Sequence, residues 1–209
     1  PQHLQVSKAL YVTEKFRKAF MPEGIWPPAI AFYMQCIRFH CEAAMLSIDF
    51  LADFASMTNE ADGDYEIGGE LQDAVLNHLQ NIFVHAAAIS RYAWPSKAGK
   101  ENVHANRGLE LKQLLELSDE SPLRDRNLRN KLEHFDENLD TYLNSKPIVG
   151  HVIPAYVGGT INSQGVPVHL FRAFYVDTAV FEILGHKFEA QPIVDEICRL
   201  HSRFHAGAI

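Results

Sequence analysis

The sequence is poor in cysteine: Cys36, Cys41 and Cys198 are all it has, none forms a CxxC pair, and three thiols cannot all pair with one another. That argues against a disulfide-stapled scaffold and leads to the expectation of a reducing, cytoplasmic setting. No uninterrupted apolar run is long enough to span a bilayer and no signal peptide is visible, so no membrane partner is expected. An excess of basic residues is missing too. With 26 acidic against 19 basic residues the formal charge is −7, so any nucleic-acid binding has to rest on a local patch rather than on overall charge. There is no Gly-rich phosphate loop, no GxSxG elbow and no HExxH, and no internal repeat or low-complexity segment.

What is present is an ordinary globular composition, 47% hydrophobic and 22% charged over 209 residues, enough apolar material for a substantial core. The first part reads as helix and loop only. Gln5 to Phe20 makes a short amphipathic helix, and Met21 to Pro28 breaks the chain at two adjacent prolines. Ala29 to Met57 is apolar around much of its circumference and is expected to sit centrally in a bundle. Thr58 to Gly69 is a loop, Glu70 to about Ala93 a third helix, Lys97 to Ala105 a loop, and Asn106 to Leu117 a short fourth helix. From Ile148 onward the composition shifts. Ile148–Val157, Val166–Val176 and Ala179–Leu184 are rich in β-branched and aromatic residues between Gly-containing turns, which predicts antiparallel strands. Pro192 opens a final helix. The expected architecture is mainly α: about five helices over residues 1–145, then a small antiparallel β appendix with a C-terminal helix over 146–209, packed on the bundle.

The chain is organised around Ser121–Leu143, which reads as one helix with Ser121 as N-cap and Pro122 in the first turn. Leu128, Leu132, Phe135, Leu139 and Tyr142 form an apolar stripe. At about 100° per residue, Arg126, Asn130, His134 and Glu137 fall on a second stripe roughly opposite. His134 therefore faces away from the core, and Arg129 projects about 140° around the helix from it. Four basic residues (Arg124, Arg126, Arg129, Lys131) precede His134, and acidic ones (Asp136, Glu137, Asp140) follow it. The basic half suits a phosphate backbone, which makes Arg124, Arg126 and Lys131 candidate nucleic-acid contacts.

Arginine and histidine beside a phosphodiester have a chemical logic. RNA cleaves when its 2′-hydroxyl attacks the adjacent phosphate, a step that needs protons moved and charge stabilised. A histidine titrates near neutrality, and a guanidinium grips phosphate oxygens while keeping its charge. Asn130, one turn before His134, can orient the imidazole or touch the phosphate. None of this needs a metal or another cofactor.

The run Arg129-Asn130-Lys131-Leu132-Glu133-His134 resembles the signature of the HEPN superfamily, an Arg with a polar residue after it and a His four to six residues on, placed late in a helical bundle. The resemblance covers roughly residues 5–145. It implies a metal-independent endoribonuclease of a toxin–antitoxin or antiviral defence system, with Arg129 and His134 catalytic and Asn130 supporting. It also implies a homodimer in which the motif helices of two subunits meet, an RNA substrate, and an antitoxin or other protein partner. The superfamily includes inactive modules, so a non-catalytic RNA-, nucleotide- or protein-binding module stands beside the enzyme. A structural dimer whose Arg129 and His134 pair with Glu133 or Glu137 is a third reading.

Other candidates are weaker. Arg199 and His205 share the spacing. Cys36, His40 and Cys41 lie within one turn, but in an apolar segment where Cys serves as a small hydrophobe, so no metal is expected there. His201 and His205, four apart, read as a solvated C-terminal turn. His78 and His85 share one face of the third helix and are expected at its surface. Trp26 and Trp94, beside prolines, read as packing plugs.

Overall fold

A computed structural model describes residues 27–58, 66–96, 103–145, 148–161 and 165–207. The expected helix Gln5–Phe20 and Trp26 lie outside them. The elements in order are α1 (Pro27–Thr58), β1 (Glu66–Ile67), α2 (Gly69–Ala93), α3 (Val103–Leu115), a 3₁₀ turn (Pro122–Arg124), α4 (Asn127–Glu133) and α5 (Phe135–Ser145). Then come β2 (His151–Gly158), β3 (Val168–Tyr175), β4 (Val180–Ile183), β5 (His186–Glu189) and α6 (Gln191–His205). The described residues are mostly helical, with one small sheet, and none of their helices is long and apolar enough to cross a membrane.

Helix α1 begins at Pro27 rather than after Pro28. Two prolines are tolerated there because N–H groups in the first turn have no acceptor within the helix, so their absence costs no ladder bond, and a fixed φ near −65° suits it. Helix α2 follows its periodicity closely: Val75, Leu79, Ile82, Ala86 and Ile89 line its buried face. That face packs on α1 through Ile37, Cys41, Ala44 and Phe54, while α3 adds Leu111 and Leu115. Helix α1 is not central, however. One side is in the core, but Phe32, Phe39, Leu46 and Met57 are exposed.

The expectation of purely antiparallel strands is corrected. Strand order is β1-β2-β3-β4-β5, and β2 pairs with β3 in parallel, Val157 beside Phe174 and His151 beside Val168; the other neighbours are antiparallel. The glycines at 158–159 and 165 are not the corners of a hairpin. Because the two strands run parallel, β3 starts beside His151, at the end of the sheet where β2 also starts. The described residues on either side of the connection are each fastened. Thr160 N–H donates to the Asp177 carboxylate at 3.2 Å, and His151 N–H donates to the Pro167 carbonyl at 3.0 Å. Gly150 makes the second closure possible: its φ is +114°, and a Cβ there would stand 2.1 Å from the Pro167 oxygen. Strand β5, only four mostly exposed residues, had no sequence signal of its own.

The sheet shares the helices' core. Val157, Phe181 and Ile183 belong to the same buried cluster as α2, and α6 adds Ile197 and Leu200. Phe181 meets Phe83 of α2 with ring centroids 5.4 Å apart. On the other face of the sheet Tyr156, Leu170, Ala173 and Tyr175 form a smaller cluster, with Ile161 packed on it.

Candidate functional site

The organising stretch is not one helix but three pieces. Ser121 caps the 3₁₀ turn, its hydroxyl accepting from Leu123 N–H at 3.4 Å. Asp125 then accepts from Asn127 N–H at 2.8 Å and restarts the chain as α4. An Asp that captures a backbone N–H two residues on competes with helix continuation, so the Pro122 turn and α4 cannot merge. The second break is at His134, the C-cap of α4, with φ −114° and ψ 40°. Its carbonyl accepts from the Asn138 backbone N–H at 3.0 Å and from the Asn138 side-chain amide at 2.5 Å, while Lys131 Nζ donates to Asn138 Oδ1 at 2.9 Å. The expected apolar stripe survives both breaks: Leu128 is buried, and Leu132, Phe135, Leu139 and Tyr142 pack against the core.

The opposite face carries the candidate catalytic residues. Asn130 is exposed, and its carbonyl accepts the His134 N–H at 3.1 Å, which closes the last turn of α4. The His134 side chain is 57% exposed, with Nδ1 3.6 Å from a Glu137 carboxylate oxygen. This pair is charged on both sides only when the imidazole is protonated, and at such exposure an ion pair is worth about 1 kcal/mol at most. Arg129 lies within α4, its side chain outside the described set. Glu133 pairs with Arg91 of α2 and so ties α4 to the bundle.

The three candidate nucleic-acid contacts divide. Arg126 donates to the Trp94 carbonyl at 2.6 Å and Arg124 to the Asp119 carbonyl at 2.8 Å, and both line a groove of about 510 Å³ together with Trp94, Pro95, Leu109 and Lys112. Lys131, held on Asn138, lines no part of it. Lys112 and Trp94 were not singled out for this role, because Lys112 is on another helix and Trp94 looked like a plug. Trp94 is indeed buried, yet its indole N–H donates to Asp119 at 3.0 Å, and the same carboxylate oxygen accepts from Lys112 Nζ at 2.9 Å. The indole N–H, then the Lys112 ammonium, hold the Asp119 carboxyl below the usual carboxylate range. The groove exists because Gly108 lets α3 close onto the end of α2; a Cβ there would lie 2.7 Å from the Ala93 carbonyl. Three cations against one carboxylate, beside an aromatic wall, suit a phosphate-bearing ligand.

The remaining histidines are placed differently from expectation. His78 and His85 face α1, not solvent alone. His78 stacks on Phe50 with centroids 4.0 Å apart and its Nδ1 is 3.1 Å from the Ser47 hydroxyl, while His85 Nδ1 is 3.1 Å from His40 Nδ1. Cys41 is buried in the core, and burial pushes its thiol up to about 12. Arg199 is taken by Glu196 at 2.8 Å, and the His201 and His205 Nε2 atoms are 2.9 Å apart. Among the described residues no three His, Cys, Asp or Glu side chains are grouped to hold a metal ion. Compared with known proteins, the chain matches no family model, no curated protein and no solved structure.

Proposed function

We propose that the chain is a metal-independent endoribonuclease of HEPN type, acting in toxin–antitoxin or antiviral defence, with His134 as general acid–base and Arg129 as phosphate and transition-state clamp. The observation that carries this reading is the exposed imidazole of His134 at the end of the short helix that bears Arg129 and Asn130. In the reaction the 2′-oxygen loses its proton to a base and bonds to phosphorus. The P–O5′ bond breaks, the 5′-oxygen takes up a proton, and a 2′,3′-cyclic phosphate remains. A histidine serves either proton transfer, and a guanidinium offsets the charge that builds on the non-bridging oxygens. Arg126 caps α4, about 12 Å along the axis from His134, so a single strand contacting the site has the cationic groove within two nucleotides' reach.

A second reading is favoured by the groove itself. Arg124 and Arg126 are already fixed on backbone carbonyls and His134 lies beside Glu137, an arrangement that also suits a non-catalytic module binding a nucleotide or RNA. One experiment separates the two: incubation of a fluorescent single-stranded RNA panel, with EDTA present, with wild type, Arg129→Ala and His134→Ala. The enzyme reading expects cyclic-phosphate ends from the wild type and their loss in both variants, with circular dichroism unchanged. Equal cleavage by all three assigns the activity elsewhere and sinks the proposal. Binding without cleavage leaves the module.

A further inference from the structure

The outer face of α1 has a repeat that the fold uses only in part: Phe50 stacks on His78 and Cys36 meets Tyr92, both of α2. Phe32, Cys36, Phe39, Ala43, Leu46, Phe50, Asp53 and Met57 follow one another at alternating steps of four and three residues, and all but Asp53 are apolar. Phe32 is 68% exposed, Phe39 61%, Leu46 74% and Met57 65%, and Cys36 is exposed beside them. The core is packed from a different face, through Ile37, Cys41, Ala44 and Phe54. Steps of four and three average 3.5 residues. Such a stripe drifts slowly around a straight helix and is followed along its length by a second helix that supercoils with it.

We infer that this face joins two copies of the chain, α1 against α1, antiparallel. It goes beyond the ribonuclease reading and does not rest on it. The resemblance would place subunit contact on the motif helices, but the solvent face of α4 and α5 is polar, with Asn130, His134, Asp136, Glu137, Asp140 and Thr141 all exposed. The α1 seam runs about 38 Å from Phe32 to Met57. A buried aromatic covers roughly 150–250 Å², so the exposed parts of two phenylalanines, a leucine and a methionine give on the order of 500 Å² per copy. Two copies together then reach the roughly 1,000 Å² that separates a specific interface from an incidental contact.

Charge sets the direction. In a parallel pair Asp53 would face the second Asp53 within the apolar seam. In an antiparallel pair with Phe32 opposite Met57, Asp53 instead stands opposite Cys36. The two Cys36 residues are then about 25 Å apart along the axis.

The test is light scattering on the eluting full-length protein, with cross-linking as a second arm. The wild type is expected at twice its 23.6 kDa chain mass, and Phe39→Glu with Leu46→Glu at the chain mass, its circular dichroism unchanged. Asp53→Cys should give a covalent dimer through Cys36 under mild oxidation, and the wild type should not. A monomeric wild type overturns the inference, as does a dimer indifferent to Phe39→Glu with Leu46→Glu, which would place the contact on another face. A wild-type Cys36–Cys36 cross-link overturns the antiparallel arrangement. RNA cleavage measured on the same samples reports on the ribonuclease reading separately.

Discussion

Replacing Phe181 by alanine asks whether the sheet is an attachment or part of the same folding unit as the helices. Phe181 is 1% exposed and its ring meets Phe83 of α2 at 5.4 Å. Removing a buried phenylalanine ring costs about 3–5 kcal/mol, since the lost transfer energy is joined by that of a cavity the surroundings only partly fill. With a urea slope of about 2 kcal/mol per molar, the unfolding midpoint should fall by roughly 1.5–2.5 M. The assay is a urea titration read twice, by far-ultraviolet circular dichroism for the helices and by tryptophan fluorescence. Trp94 caps the C-terminal end of α2, in the same buried cluster as Phe181. Because the cluster is continuous, both signals should shift together. A helical transition that keeps the wild-type midpoint would refute a shared core and make residues 146–209 an independent unit.

Gly150→Ala should destabilise the protein by about 1–3 kcal/mol, because its backbone is held in a conformation L-residues avoid and the new Cβ would overlap the Pro167 carbonyl; a melting temperature equal to the wild type's would refute the tight closure between β2 and β3. The His40–His85 pair predicts acid sensitivity. Burial first, then the neighbouring His85 and Arg91, lowers the affinity of His40 for a proton, and burial lowers that of His85. A histidine depressed in the fold contributes stability that is fully present above its unfolded value near 6.5 and is lost as pH falls through the lower folded one. The melting temperature should therefore drop below about pH 6.5, and less steeply in His85→Gln; a flat wild-type profile contradicts this. Cys41, buried and with its thiol raised to about 12, should react with a thiol reagent at neutral pH only as fast as the protein unfolds. Rapid labelling of Cys41 in the native protein would show that α1 is not packed as described.

The sequence by itself determined the helices whose apolar residues recur every three or four positions. The Glu70–Ala93 reading falls within one residue of α2, and the stripe from Leu128 to Tyr142 meets the core as its spacing required. It also marked where Pro, Gly and composition turn the chain from helix to strand. It did not determine strand direction. Parallel and antiparallel neighbours share the same two-residue alternation, and the contacts that go with the parallel arrangement, Thr160 on Asp177 at one end of the strands and Gly150 against Pro167 at the other, join residues far apart in sequence. Local pattern also hid the breaks around α4, since Asp125 and Asn138 act through hydrogen bonds that leave the apolar spacing intact. Arg129, Asn130 and His134 were legible because they are neighbours in sequence. The groove was not, since Trp94, Lys112 and Arg126 come from separate segments that only helix packing, allowed by the missing Cβ of Gly108, brings to one place. Periodicity tells a chain which side of each helix to bury. Which buried sides meet, and which polar groups then converge, is decided by the packing of the whole core.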